Sequence, residues 1–156
     1  MNITSKSKYA LRAVIHLARK NDNGVMRRED LASAQGGISK EYLEKILLRL
    51  REFNLVEAKS GRGGGYRLAK SPTDITAWDV INAVEESPQP VSCLSENAIS
   101  CGGSCEAKTL WRRVWDAAVQ EMRNTSIASL AEEELEEIEN LQQLGEDGQL
   151  AKVQCR

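Results

Sequence analysis

Residues 38–68 read ISKEYLEKILLRLREFNLVEAKSGRGGGYRL, and the fold turns on how this stretch divides. Ser39 is suited to cap a helix, because its hydroxyl can accept from a first-turn backbone N–H that has no partner within the helix. From there to about Glu52, Leu43, Ile46, Leu47 and Leu50, with Phe53 just beyond, recur at helical spacing as one apolar stripe, while Lys40, Glu41, Glu44, Lys45, Arg49 and Arg51 fall largely outside it. One face is expected to pack and the other to be free to read something. Upstream, Glu29 to Gln35 is expected to form a short helix with Leu31 and Ala34 inward, and Gly36-Gly37 supplies a turn where positive φ is tolerated. Two short helices across a glycine turn are the helix-turn-helix pattern.

Downstream, Leu55-Val56-Glu57-Ala58 and Tyr66-Arg67-Leu68 are short strand candidates, separated by a loop with four glycines and the cations Lys59 and Arg62. That order predicts a hairpin with a cationic tip, the wing of a winged helix. An ordinary surface hairpin is the competing reading, and the sequence helix, turn, helix, basic wing argues against it.

Charge supports a polyanion partner. The 156-residue chain carries a formal net charge of -2, but residues 1–70 hold 15 Lys/Arg against 7 Asp/Glu, a net of +8, and residues 71–156 hold 6 against 16, a net of -10. A basic half with a helix-turn-helix is the footprint of a DNA binder, and the acidic half is expected to face away. No apolar run is long enough to cross a bilayer, and Met1 to Lys6 lacks the apolar core of a signal peptide, so no membrane partner and a cytoplasmic location are expected. With one histidine, His16, and no evident nucleophile and base pair, the chain does not read as an enzyme.

In chain order, Thr4 or Ser5 caps a first helix to about Arg19, with Tyr9, Ala10, Ala13, Val14 and Leu17 at core spacing. Its N-terminus, with Lys6, Lys8 and Arg12, is a candidate phosphate holder, and His16 on this helix is read as structural. Asn21 to Gly24 is a turn, and Val25-Met26-Arg27 leads into the helix-turn-helix. Thr76 with Asp79 three residues later approximates a capping box, opening a helix that packs Trp78, Ile81, Ala83 and Val84 onto the winged domain, before Pro88 and Pro90. From about Glu106 to Arg123, Leu110, Trp111, Val114, Trp115, Ala118 and Met122 make a broad apolar side on a helix of roughly 27 Å. Packing on the chain's own core is one reading. A second copy of the helix is preferred, because a small winged domain has no room for so long a stripe. Beyond it, Leu130, Leu135, Ile138 and Leu144 are candidate inward positions of an acidic helix with a solvated glutamate face.

Cys93, Cys101 and Cys105 precede that helix with Gly102-Gly103 between them, and Cys155 lies in the tail. Thiols in a reducing compartment are candidate ligands or sensors rather than disulfides. The spacing suits iron-sulfur clusters and zinc alike.

The string Ile38-Ser39-x-x-Tyr42-Leu43-Glu44, the Leu55-Val56 after the helix, and Gly63-Gly64-Gly65-Tyr66-x-Leu68 resemble the IscR/NsrR family of bacterial winged-helix regulators, the Rrf-type repressors, over nearly the whole chain. The resemblance implies a mainly α fold with a small β-hairpin wing and a long dimerisation helix. It divides the chain into a winged helix-turn-helix domain (1–87), a cysteine loop (88–105), a dimerisation helix and acidic C-terminal helix (106–144) and a flexible tail (145–156). It implies a homodimer on palindromic double-stranded DNA, with Leu110, Trp111, Val114, Ala118 and Met122 at the interface. Ser39, Lys40, Tyr42, Glu44 and Lys45 would face the major groove, and Arg49, Lys59, Arg62, Gly63, Gly64 and Tyr66 complete the implied DNA-binding set.

The resemblance further implies that Cys93, Cys101 and Cys105 hold a [2Fe-2S] or [4Fe-4S] cluster that senses iron status, redox state or nitric oxide. Cys105 lies six residues before Trp111, as in the family's Cys-x5-Trp pattern. The chain departs from the family in four places. Cys101 and Cys105 are closer together than usual, Lys108 stands where a ligand histidine is found in the cluster assembly regulator, Lys8 where the nitric-oxide-sensing regulator has a carboxylate, and Ser60 where a wing arginine is common. Arg62 is the candidate substitute for that arginine. A fourth ligand is unassigned among Glu106, Asn97, Ser104, His16, Cys155 and a non-protein group. The alternatives are a thiol- or zinc-dependent regulator of the same fold, or, in a different class, an iron-sulfur electron-transfer protein.

Overall fold

The computed structural model describes residues 4–20, 24–36, 38–86, 107–133 and 135. The core is built on three helices, α1 (Ser5–Arg19), α2 (Arg28–Ala34) and α3 (Lys40–Glu52). Thr4 caps α1 by accepting from the Lys6 N–H, and Ser39 caps α3 by accepting from the Tyr42 N–H at 3.2 Å. Ala10, Ala13, Val14 and Leu17 of α1 meet Leu43, Ile46, Leu47 and Leu50 of α3, all buried, with Tyr9 partly covered beside them. The apolar stripes thus bury where their periods predict.

The ends of the stripes differ from the sequence reading. In α2 the buried pair is Leu31 and Ala32, and Ala34 is exposed. This helix is only two turns long, and the next buried residue is its C-cap, Gln35. Gly36, at φ +79°, makes the turn. Phe53 lies outside the core as well, at 44% exposure. Asn54 adopts φ +54°, its N–H donates to the Arg51 carbonyl, and the Leu55 N–H donates to the Leu50 carbonyl at 2.9 Å. This is a Schellman end, in which Leu55 turns into the core against Leu50 and leaves Phe53 outside, under the Arg49 guanidinium 5.6 Å from its ring.

The wing is the antiparallel pair β1 (Val56–Lys59) and β2 (Gly65–Leu68), in the register Val56 to Leu68 and Lys59 to Gly65. Met26 adds a bridge that was not foreseen. Its N–H donates to the Tyr66 carbonyl and its carbonyl accepts from the Tyr66 N–H, at 2.9 and 2.8 Å. The wing base is thereby stitched to the segment before α2. Close backbone approach requires glycine here, because a Cβ on Gly65 would sit 2.2 Å from the Met26 carbonyl oxygen.

A single 3-10 turn, Pro72–Asp74, leads to α4 (Ala77–Val84). The capping box at its start is complete, with Thr76 Oγ1 accepting from the Asp79 N–H and the Asp79 carboxylate accepting from the Thr76 N–H. Ala77, Val80, Ile81, Ala83 and Val84 are buried, and Trp78 is half-buried. α5 (Lys108–Asn124) returns to α4 through one tryptophan pair, Trp78 and Trp115, edge to face at 5.9 Å, with the Arg123 guanidinium over Trp78. The chain after α5 pairs back onto the domain, since the Ile127 N–H donates to the Ile75 carbonyl and the Ala77 N–H to the Thr125 carbonyl. It then forms a helical run over 127–133, which buries Ile127 and Ala131 and half-buries Leu130. Leu135, an expected inward position, is 45% exposed. Asn21 to Asn23, Gly37, Pro88, Pro90, the cysteines 93, 101, 105 and 155, Ile138 and Leu144 lie outside the described residues.

Candidate nucleic-acid interface

α3 presents its polar side outward because its buried residues occupy the other. Lys40, Glu44 and Lys45 are exposed there, and Ser39 is exposed at its cap. Tyr42 is half-buried and set edge to face against Tyr9, rings 6.0 Å apart, so its ring is placed by packing. Arg49 is already engaged, with Nη1 2.6 Å from Glu52 Oε2 and its plane over Phe53. Glu44 accepts from Arg28 of α2, Nη1 to Oε2 at 2.6 Å. Arg28 was not among the expected site residues, and no local pattern reveals it, because its partner is sixteen residues away. Beside it, Glu29 lies 3.9 Å from Lys40. The N–H of its own first-turn backbone, joined by the charges of Lys40, Arg28 and Arg27, outweighs the opposing effect of desolvation and holds Glu29 below the usual carboxylate range.

The wing tip holds Arg62, Gly63 and Gly64, close to Lys59 at the end of β1. Arg62 and Lys59 are exposed. Gly63 has φ +83°, and a Cβ on Gly64 would meet the Lys59 carbonyl oxygen at 2.2 Å, so the tip folds this tightly only with glycine. Tyr66 stands at the base rather than the tip, half-buried against the core. Between the tip and α2 runs a cleft of about 470 Å³ lined by Arg27, Arg28, Glu29, Arg62 and Tyr66. Its cations and the outer side of α3 together present a surface suited to phosphates flanking a groove.

The N-terminus of α1, expected to hold a phosphate, is occupied by the chain's own Glu85. One oxygen of that carboxylate accepts from the Thr4 N–H at 3.0 Å, Thr4 Oγ1 at 2.7 Å and Ser7 Oγ at 2.6 Å. Lys6 Nζ lies 3.4 Å from the Val84 carbonyl oxygen. An internal anion has taken the position that an external one would use. His16 sits partly buried on α1.

On α5, Leu110, Trp111 and Val114 are 56%, 40% and 47% exposed, and Ala118 and Met122 are half-buried. Trp115, grouped with them by periodicity, instead faces α4 and is buried. Among the described residues no group of three or more His, Cys, Asp or Glu side chains is placed to hold a metal, and the proposed cluster ligands Cys93, Cys101 and Cys105 lie outside those residues. No helix among the described residues is long and apolar enough to cross a membrane.

Replacing Arg62 by alanine is expected to weaken DNA binding about fivefold to tenfold, more at A·T-rich flanks, because a narrow minor groove concentrates negative potential around an inserted cation. Titration of duplexes differing only in the flanks checks it, and equal losses on both would remove Arg62 from the minor groove.

The comparisons agree with this surface. A family model described as an iron-dependent transcriptional regulator, Rrf2, matches residues 3–133. The transcriptional regulator IscR of Pectobacterium carotovorum is 36% identical over 130 residues, covering 83% of this chain and 79% of that protein. IscR of Escherichia coli is 35% identical over 83% and 80%. Among solved structures, CymR, the global cysteine regulator of B. subtilis, superposes with a TM-score of 0.72 at 31% identity, covering 85% of this chain and 97% of that one. T. potens IscR, at 24% identity, shares the fold with a TM-score of 0.69 over 97% and 93%. A helix-turn-helix with its wing, matched over most of the chain by the Rrf2 family model and by IscR and CymR regulators, places this chain in the Rrf2 family of DNA-binding transcriptional regulators.

Proposed function

We propose that the protein acts as a homodimeric repressor of palindromic operators, in the cytoplasm, under the control of an iron-sulfur cluster. The observation that carries the DNA half of this reading is the outer side of α3 flanked by the glycine-tipped wing. Ser39, Lys40, Tyr42, Glu44 and Lys45 read the major groove, and Arg49, Lys59, Arg62, Gly63, Gly64 and Tyr66 hold or shape the flanking contacts. The exposed Leu110, Trp111 and Val114, with Ala118 and Met122, pair α5 with a second copy, which sets two α3 helices about one DNA turn apart. The division into a winged domain (1–87), cysteine loop (88–105), dimerisation and acidic helices (106–144) and tail (145–156) is part of the same proposal.

The donor set fits the cluster chemically. Three thiols within thirteen residues match the thiolate ligation of [2Fe-2S] and [4Fe-4S] groups, and the IscR relatives and the iron-dependent family description point the same way. When bound, such a group supplies iron whose redox state and integrity respond to oxygen, nitric oxide or iron supply. The chain's own residues anchor the segment that carries these thiols. Glu85 at one end is hydrogen-bonded to α1, and α5 at the other is packed on α4 through Trp115. Rearrangement of that segment would tilt α5 and change the spacing of the two α3 helices.

A second reading rests on CymR, since an oxidised form of the Staphylococcus aureus protein is among the solved structures at 31% identity with a TM-score of 0.67. There Cys93, Cys101 and Cys105 would act as thiols without metal. Protein purified without oxygen is expected to contain iron and sulfide, and its affinity for a duplex selected from a random library is expected to change when the iron is removed. Equal affinity in both states excludes the switch, and a thiol-dependent change in iron-free protein supports the second reading.

A further inference from the structure

Two side chains on different helices are joined at the outer side of α3. Arg28 Nη1 lies 2.6 Å from Glu44 Oε2, Arg28 Nη2 lies 3.7 Å from Glu29 Oε1, and Glu29 Oε1 lies 3.9 Å from Lys40 Nζ. Lys40 and Glu44 are four residues apart, so they stand one above the other on successive turns. The row Lys40, Glu29, Arg28, Glu44 therefore ties the start of α2 to two consecutive positions on the reading side of α3.

The Arg28 side chain is partly covered, more so than its partner. Its Nε is buried without a hydrogen-bond partner, and its side chain is 35% exposed, whereas Glu44 is 54% exposed. Among the described residues no donor meets the second Glu44 oxygen, Oε1. An ion pair this open to water adds little to the stability of the fold, so its consequence is where it leaves the carboxylate. A glutamate at a DNA surface has two difficulties, repulsion by phosphates and freedom among rotamers. A guanidinium held against one oxygen reduces both and leaves the other oxygen as an acceptor.

We infer that Arg28 is a specificity-positioning residue, holding Glu44 so that Oε1 accepts from a cytosine amino group in the major groove. The inference rests on the reading of α3 as the base-reading helix. Cytosine N4 is the donor that a carboxylate accepts from in the major groove. Arg28 would act through Glu44 and read no base itself.

The experiment selects 30-base-pair duplexes from a randomised library with the full-length protein and with its Arg28→Ala, Arg28→Lys, Glu44→Ala and Arg28→Ala/Glu44→Ala variants, then titrates the winning duplexes at several salt concentrations. Glu44→Ala is expected to lose about tenfold preference for C·G at one base pair and its symmetry mate. Arg28→Ala is expected to lose the same preference at the same pair, the double variant no more than either, and Arg28→Lys to keep part of it. The inference is overturned if Arg28→Ala weakens all duplexes equally, keeps the C·G preference and lowers the salt slope by about one, which is the behaviour of a phosphate contact. It is also overturned if Glu44→Ala leaves every position unchanged, because Glu44 then reads no base while DNA recognition itself stands. If the unsubstituted protein enriches no duplex, the proposed function fails and the inference with it.

Discussion

Val114→Glu is expected to reduce affinity for a full palindromic duplex about 100-fold while leaving affinity for an isolated half-site within about twofold. Val114 is 47% exposed in the single chain, next to Leu110 and Trp111 on one side of α5, and none of the described residues covers them. A contiguous apolar strip of this kind on a helix of about 26 Å marks an interface. In a two-fold symmetric contact a substituted residue enters twice, so the variant buries two carboxylates near each other in apolar surroundings. The fold of one chain tolerates the change, because the position already meets water. Analytical ultracentrifugation should show monomers where the original protein is expected to sediment as a dimer, and a thermal melt should be nearly unchanged. A variant that stays dimeric and binds the full site normally would remove α5 from the interface.

Glu85→Ala is expected to destabilise the folded chain by about 2–3 kcal/mol, and Glu85→Gln by about 1 kcal/mol. Glu85 is 9% exposed, and its Oε1 accepts from three donors on the first residues of α1. Alanine leaves those donors without their acceptor, whereas glutamine retains an oxygen but loses the charge. Burial pushes this carboxyl up. The hydrogen bonds from the Ser7 and Thr4 hydroxyls and the Thr4 N–H, together with the charge of Lys6, outweigh burial and set it below the ordinary carboxylate range. A folded pKa lower than the unfolded one contributes stability that is present above the ordinary carboxylate range and is lost as pH falls through the lowered value. Acid unfolding of the original protein should therefore show a loss of stability in that window that Glu85→Gln lacks. Identical acid profiles would show that Glu85 carries no such linkage.

Much of the local architecture was legible because its causes lie within a few residues of one another. Ser39 reaches the N–H three residues on, Thr76 and Asp79 close a box across one turn, and Leu43, Ile46, Leu47 and Leu50 bury because a helix brings every third or fourth residue to one side. The wing followed from strand signals around a glycine loop. The periodic reading failed at Ala34, the last residue of α2, where Ala32 and the C-cap Gln35 are buried instead, and past the end of α3 at Phe53, where a Schellman turn replaces helical geometry. The same approach put Trp115 with its exposed neighbours, because periodicity defines a side of a helix and not what lies opposite it.

The sequence by itself determined the order helix, turn, helix, wing, the polar side of α3, and the split between a basic and an acidic half, since each depends on spacing and composition alone. Only the tertiary structure decided that Glu85 closes the start of α1 across 81 residues, that Met26 stitches down the wing at Tyr66, that Trp115 turns inward while Leu110, Trp111 and Val114 stay exposed among the described residues, and that Arg28 grips Glu44. These are contacts between segments distant along the chain. Backbone spacing limits which neighbours such a side chain can reach, but the packing of the whole chain selects the one it meets.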